Sequence, residues 1–321
     1  MLFSSLIVAA FLVIGGWYWL TQPIAPVPRA HAPALAASPE RLELHVRMLS
    51  EECSPRDASH PTNMDRAAAY IARQLEPSGA VVSEQSFPAA GATFRNVIGA
   101  FGPDTTDRVV VGAHYDAAEG HVGADDNASG VAGLIELARL LRDQPLSRRV
   151  ELVAFALEEA PFFGTAEMGS FVHDLLLHAA GGRVVAMISL EMIGYFSDRP
   201  GSQGFPFAAL KALYPTTGDF IVVAGRLRDA RFVRRVKRSM RGGSNLPVYS
   251  INAPRSLPGL DLSDNASYWD RGDPAVMVTD SAFYRNPNYH TAADRPDTLD
   301  YARMARVVEG VARAVVDLAN T

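Results

Sequence analysis

Residues 109–116, Val-Val-Val-Gly-Ala-His-Tyr-Asp, are the stretch that decides the fold. Five apolar residues in a row, without the alternation of a half-exposed strand, are typical of a strand covered on both faces. His114 and Asp116 follow directly, and both are side chains that can bind metal ions or protons. The stretch therefore predicts a buried strand that ends at a functional site.

Other apolar runs lead into the same kinds of side chain. They are residues 152–157, followed by Glu158 and Glu159; residues 184–190, followed by Glu191; and residues 275–278, followed after a loop by His290. Helical patterns lie between and after the runs, at about residues 128–143, 165–178, 229–241 and 299–320. This alternation predicts an α/β protein, a three-layer α/β/α sandwich with a central mixed, largely parallel sheet. The carboxyl ends of parallel strands meet at one edge, where such sheets bind ligands, so these acids and histidines are expected to lie together.

The composition is that of a globular protein. Of its 321 residues, 48% are hydrophobic and 20% are charged, and the formal net charge of −5 favours no nucleic-acid partner. A basic run within residues 231–241 fits the solvated face of a helix. Cys53 is the only cysteine, which rules out an intrachain disulfide.

The N-terminal segment resembles a membrane helix. Residues 2–20 contain no charged side chain, and they end in an aromatic cluster at residues 17–19. Residues 1–20 are predicted to be a membrane anchor, residues 21–38 a linker rich in proline and alanine, and residues 39–321 the catalytic domain. The domain is expected outside the cytoplasm, in the periplasm or at the cell surface. A cleaved signal peptide is the alternative, although Thr21 to Ile24 make a poor cleavage site.

A second motif lies between the first buried strand and its helix. Residues 123–130 read Gly-Ala-Asp-Asp-Asn-Ala-Ser-Gly, in which glycines permit a tight backbone and acids precede a helix. A helix cap would explain one aspartate, but it does not explain the whole set of acids and histidines. His, Asp and Glu are ligands suited to zinc, and hydrolytic enzymes often hold two metal ions in one site.

With these motifs the chain resembles metallopeptidase family twenty-eight, which includes leucine aminopeptidases, glutamate carboxypeptidases and glutaminyl cyclases. The resemblance covers roughly residue 63 to the C terminus. Its motifs are His-x-Asp, Gly-Ala-Asp-Asp-Asn-Ala-Ser-Gly, Glu-Glu, Glu-Met-Ile-Gly and Tyr-His-Thr, and they occur here in the family's order.

The resemblance implies a role for each matching residue. His114 and Glu191 would bind one Zn²⁺, Glu159 and His290 would bind a second Zn²⁺, and Asp126 would bridge the two ions. Glu158 would act as general base. Asp116 would orient the imidazole of His114. The implied activity is zinc-dependent cleavage of peptide substrates from one end, most simply by an aminopeptidase.

Two positions depart from the family pattern. The family more often has Asp where this chain has Glu191, and a longer side chain could shift or weaken the first metal site. Residues 263–265 read Ser-Asp-Asn where the family has Ser-Asp-His. Asp264 is expected to support the site, and the sequence assigns no role to Asn265.

Three other functions remain open at this point. A cyclase-like acyltransferase would use one zinc, whereas this chain has all five ligands. A receptor-like binding domain would have lost ligands. A carboxypeptidase would share the metal site and needs a cationic group for the substrate carboxylate, for which Arg285 and Arg295 are the nearest candidates in sequence.

Overall fold

The computed structural model describes residues 2–24 and 36–321. Its helices are α1 (Leu2–Thr21), α2 (Pro39–Arg47), α3 (Pro61–Leu75), α4 (Gly130–Leu141), α5 (Gly169–Ala179), α6 (Ala230–Gly243), α7 (Asn265–Arg271) and α8 (Tyr301–Ala319). Its strands are β1 (Val81–Ala89), β2 (Ala92–Phe101), β3 (Asp107–His114), β4 (Arg149–Phe155), β5 (Arg183–Glu191), β6 (Ile221–Arg226), β7 (Val248–Ala253) and β8 (Ala275–Thr279).

The strands form one mixed sheet in the order β1-β2-β4-β3-β5-β8-β6-β7. The four central strands β4, β3, β5 and β8 run parallel to one another. The antiparallel pairs are β1 with β2, β2 with β4, and β6 with β8, while β6 and β7 are parallel. The predicted α/β class with a mixed sheet is confirmed. Strands β6 and β7 were not predicted.

Helices cover both faces of the sheet. In β3, Val109 and Val111 belong to one hydrophobic cluster, which also contains the buried residues of α4 and α8. Val110 belongs to a second cluster, with Tyr268 and Trp269 of α7. Successive strand residues point to opposite faces, so the two clusters are two core layers separated by the sheet.

Local sequence explains where several helices begin. In α2, Pro39 occupies the first turn, and Oγ of Ser38 accepts a hydrogen bond from the backbone N–H of Arg41. In α8, Asp300 accepts a bond of 2.9 Å from the N–H of Arg303. Such caps satisfy backbone donors that have no partner within a helix.

The N-terminal segment forms the helix α1, as predicted, but its role as a membrane anchor is not supported. Within the described ranges, no helix combines the length and apolar character required to cross a bilayer. Phe11 to Ile14 are exposed, whereas Thr21 and Gln22 are buried against the domain. Most of the predicted linker, residues 25–35, lies outside the described residues.

Candidate metal centre

The central strands deliver the predicted site residues to one edge of the sheet. His114 is the last residue of β3 and Glu191 is the last residue of β5. Glu158 and Glu159 follow the end of β4, and His290 lies in the loop after β8. Because β4, β3, β5 and β8 are parallel neighbours, all of these positions are at the same edge.

Asp126 stands between two groups of potential ligands. Its Oδ1 lies 3.4 Å from Nε2 of His114, and its Oδ2 lies 3.1 Å from Nε2 of His290. The first imidazole is also 3.4 Å from Oε2 of Glu191, and the second is 3.3 Å from Oε1 of Glu159. The geometry therefore gives two triads that share one carboxylate, His114 with Asp126 and Glu191, and Asp126 with Glu159 and His290.

Glu158 belongs to neither triad but faces the same space. Its Oε2 lies 3.8 Å from Nε2 of His114, and the residue is 7% exposed. A carboxylate in such a position, close to a group of potential ligands but not one of them, is of the kind that can exchange a proton with a bound molecule.

Asp116 links the β3 end of the site to the β4 end. Its carboxylate lies 3.5 Å from Nδ1 of His114, on the side of the ring that faces away from Asp126. The same carboxylate accepts the backbone N–H groups of Glu158 and Glu159, at 3.1 and 3.0 Å. Asp116 is thus placed to hold the imidazole and both glutamates in position.

Burial and like charges dominate the electrostatics of the site. Burial raises the pKa of Glu158 well above its usual value, and the carboxylates of Glu159 and Glu191 raise it further. Burial likewise raises the pKa of Glu191 to about 7. Burial opposes the charged form of His114, yet the charges of Glu158 and Glu191 outweigh it and raise the pKa of that imidazole. The crowding of carboxylates in a buried site creates a strong demand for positive charge.

Strained backbone occurs at the same positions. Leu157, Met192 and His290 have φ values of +61°, +50° and +50°, a region that L-residues with a side chain seldom adopt. Leu157 directly precedes Glu158, and Met192 directly follows Glu191. His290 is itself a predicted ligand. Such strain costs on the order of 1–3 kcal/mol per residue and is typical of functional sites. Local sequence propensity did not predict it.

Three supporting side chains were assigned no role from the sequence. Oγ of Ser263 donates a 2.8 Å hydrogen bond to Oε2 of Glu191, which anchors the longer side chain found at this position. Asp294 accepts the backbone N–H groups of Asp125 and Asp126, at 2.9 and 3.1 Å. Asn127 donates to the carbonyl of Leu190 at the end of β5. The only sequence signals for Asp294 and Asn127 were their positions, four residues after His290 and directly after Asp126.

The two residues after Ser263 are both buried. Asp264 is fully buried, and burial raises its pKa to about 7. Asn265 is the first residue of α7, and its Nδ2 donates to the carbonyl of Leu260 at 3.3 Å. Asn265 therefore stabilises the turn before α7.

Comparison with known proteins agrees with this geometry. The model of peptidase family M28 matches residues 96–315. The chain belongs to this peptidase family. It is 47% identical over 283 residues to the uncharacterized protein YfbL of Escherichia coli, covering 86% of this chain and 87% of YfbL. It is 36% identical over 228 residues to aminopeptidase YwaD of Bacillus subtilis, covering 70% of this chain but 45% of YwaD.

Solved structures show the same M28 fold. The zinc aminopeptidase BSAP of Bacillus subtilis superimposes with a TM-score of 0.71 at 16% identity, covering 90% of this chain and 97% of BSAP. The glutaminyl cyclase of Porphyromonas gingivalis gives a TM-score of 0.65 at 22% identity, covering 88% of this chain and 98% of the cyclase. At these identities the two structures establish the fold that this M28 chain shares with both kinds of enzyme.

The residues present in this M28 chain fit a zinc site. His and carboxylate side chains are the usual oxygen and nitrogen ligands of zinc. Oε1 of Glu159 is buried and has no hydrogen-bond partner among the described residues, although it lies 3.3 Å from Nε2 of His290. A cation between these two atoms would satisfy both of them.

An apolar pocket opens beside the triads. Glu191 and Tyr289 line it on the side of the site, and the remaining wall is largely aliphatic and aromatic, including Phe220, Met277 and Phe283. Tyr289 also stacks on the ring of His290, with 3.9 Å between the ring centroids. The M28 chain thus places an apolar cavity next to its candidate ligands.

A third group of possible ligands lies elsewhere in the fold. Nε2 of His178, near the end of α5, is 3.4 Å from Asp174 in the same helix and 2.8 Å from Asp273 in the turn before β8. Arg271 also contacts Asp174. The turn precedes the first residue of β8, so this group is at the opposite edge of the sheet from the candidate metal centre. An ion-pair network that holds α5 to this turn accounts for it.

Proposed function

We propose that this M28 chain is a zinc-dependent aminopeptidase that holds two Zn²⁺ ions. The observation that carries the proposal is the placement of Asp126, whose two carboxylate oxygens face two different imidazoles. His114 and Glu191 would complete one ion's ligand set, and Glu159 and His290 would complete the other. The proximity of all five side chains supports this assignment over a cyclase-like site with a single zinc and over a receptor-like domain without ligands.

The chemistry divides between the ions and the protein. Two Zn²⁺ ions in this site would lower the pKa of a water molecule to about 7 and would polarise the peptide carbonyl. Three ligand carboxylates against two dications leave a net charge of +1, which favours an anionic nucleophile. Glu158 would accept the proton from the attacking water and then pass it to the nitrogen of the leaving amine. Asp116 would keep His114 and the backbone of Glu158 in place throughout.

The buried carboxylates also suit a free α-amino group. A carboxypeptidase would need a cationic side chain for the terminal carboxylate, and Arg285 was a candidate for that role. Arg285 is 5% exposed, and its guanidinium donates to Oε1 of Gln203 and to the carbonyl of Phe220. These hydrogen bonds with the protein support a structural role for Arg285. The other candidate, Arg295, is exposed.

The pocket beside the triads supports a preference for large apolar N-terminal residues. Burial of a leucine-sized side chain from water is favourable by about 1.5–3 kcal/mol, and the wall of Phe220, Met277 and Phe283 offers such burial. We therefore propose leucyl and similar N termini as the substrate class.

A leucyl chromogenic substrate is expected to be cleaved, and its N-acetyl derivative is expected to react at least tenfold more slowly. Loss of one hydrogen bond to a charged group costs about 1.5–3 kcal/mol, and the acetyl group adds steric exclusion. The measurement is kcat/KM on both substrates at equal zinc occupancy. Equal values would contradict recognition of the amine. Cleavage confined to peptide carboxyl termini, and lost in Arg285→Ala, would identify a carboxypeptidase.

The membrane anchor and a location outside the cytoplasm stay predictions. They rest on the uncharged stretch from Leu2 to Leu20 alone, since no described helix is long and apolar enough to cross a bilayer. The proposed chemistry does not depend on them, because every candidate ligand lies at His114 or beyond.

A further inference from the structure

The C-terminal end of α1 is held on the domain through its backbone. Nζ of Lys237, in α6, donates to the carbonyls of Thr21 and Gln22 at 2.9 and 3.0 Å. Asn252 of the edge strand β7 donates to the carbonyl of Trp19 at 3.0 Å. Arg234 donates to the carbonyl of Pro23 at 2.8 Å. These contacts seat the end of α1 against α6 and β7.

A cavity of about 500 Å³ lies at this junction. Its polar side contains Lys237 and Arg241, together with Ser244 and Asn245. Its apolar side contains Trp17 and Ile24 from the N-terminal segment, and Leu213, Tyr214, Leu246, Val248 and Tyr249 from the domain. A volume of this size is typical of a site for a small molecule.

The basic groups at the cavity have no acidic counterpart. No Asp or Glu lines the cavity, and within the described part of the chain no carboxylate forms an ion pair with Arg234, Lys237 or Arg241. The first acidic residue in the sequence is Glu40, so the undescribed residues before it contribute no carboxylate either. Burial lowers the pKa of Lys237, and together with the charges of Arg241 and Arg234 it brings that pKa to about 8. An anion in the cavity would relieve this repulsion.

Arg241 is the second basic side chain of the cavity. To the described residues 2–24 and 36–321, its guanidinium makes one long hydrogen bond, 3.5 Å from Nη1 to the carbonyl of Ile24. A guanidinium carries five N–H donors in a planar fork that matches phosphate oxygens. Lys237, in contrast, already has three acceptors, the two carbonyls of α1 and Oγ of Ser250.

We propose that this cavity binds a phosphate ester whose alcohol part is apolar. The fork of Arg241 and the charge of Lys237 receive the phosphate. Trp17, Tyr249 and the aliphatic wall receive the apolar part. A phospholipid headgroup and a soluble phosphate ester share this chemistry.

The test uses the full-length protein in a non-ionic detergent and isothermal titration with two probes, inorganic phosphate and dihexanoyl phosphatidic acid. We expect binding of the lipid, weakened at least tenfold in Arg241→Gln, as loss of a charge-assisted contact predicts. Arg238→Gln is the matched control, because Arg238 lies on the same helix, is exposed and does not line the cavity. Its affinity should stay within twofold of the wild type. Arg241→Lys keeps the charge but loses the planar guanidinium, so its affinity should be intermediate. If Arg241→Gln does not fold, this variant tests whether Arg241 binds the phosphate.

The two probes distinguish the sources of the ligand. Binding of the lipid but not of phosphate assigns the site to a phospholipid, whereas binding of both shows that the phosphate group suffices and that soluble esters are also ligands. Absence of lipid binding, or equal weakening by Arg241→Gln and Arg238→Gln, overturns the proposal.

Discussion

Glu158→Gln is expected to lower turnover by roughly two to four orders of magnitude while zinc stays bound, because the site loses its general base but none of its ligands. The amide has nearly the shape of the carboxylate, so the neighbouring contacts of Asp116 and His114 should persist. The measurement is kcat on a leucyl substrate together with zinc content by atomic emission.

The matched control is Glu167→Gln, which makes the same chemical change at an exposed position in the segment that follows the two glutamates. Its turnover should equal that of the wild type. Near-normal turnover of Glu158→Gln at full zinc occupancy would remove Glu158 from the mechanism and leave the metal assignments untouched.

Asp126→Ala is expected to empty both metal sites, since one carboxylate serves both triads. Activity should fall by roughly four orders of magnitude or more, the scale that follows from losing several kcal/mol of transition-state stabilisation. Zinc per chain, measured after dialysis against a metal-free buffer, provides the readout.

Asp143→Ala, at an exposed position in the turn after α4, serves as the control and should retain the zinc content of the wild type. Thermal unfolding of both variants shows whether the fold survives. A folded Asp126→Ala protein that kept two zinc ions per chain would be incompatible with a bridging role.

The centre of the fold could be predicted because its residues carry strong local signals. Val109 to Ala113 is buried on both faces, and an uninterrupted apolar run has few other interpretations. Because the parallel strands share one edge, the positions of His114, Glu158 and Glu191 at their ends were enough to predict that they meet.

The parts that were missed depend on contacts between distant segments. Ser263 meets Glu191 across 72 positions of sequence, and Asp294 meets the backbone of Asp125 across 169. Neither pairing leaves a periodic pattern. Strand β6 pairs with β8 and the edge strand β7 pairs with β6, so the places of these two short strands in the sheet also depend on other segments of the chain.

The contact between α1 and the domain could not be predicted from the sequence either. Residues 21–38 were predicted to be an extended linker, yet the carbonyls of Thr21 and Gln22 are bound by Lys237. The basic run of α6 was interpreted as a solvated face, and that holds for the exposed Arg238 but not for Lys237, which is 4% exposed. Backbone carbonyls have no sequence signature, so such an interface cannot be inferred from residue types.

The central claim, that two zinc ions in the shared-carboxylate site drive peptide hydrolysis, is tested most directly by adding zinc back to chelator-treated protein. Hydrolysis of a leucyl substrate and zinc bound per chain are measured on the same samples. We expect no activity without metal and full activity at two equivalents of bound zinc. Full activity at one equivalent would contradict the two-ion site, and hydrolysis by the metal-free protein would contradict the account as a whole.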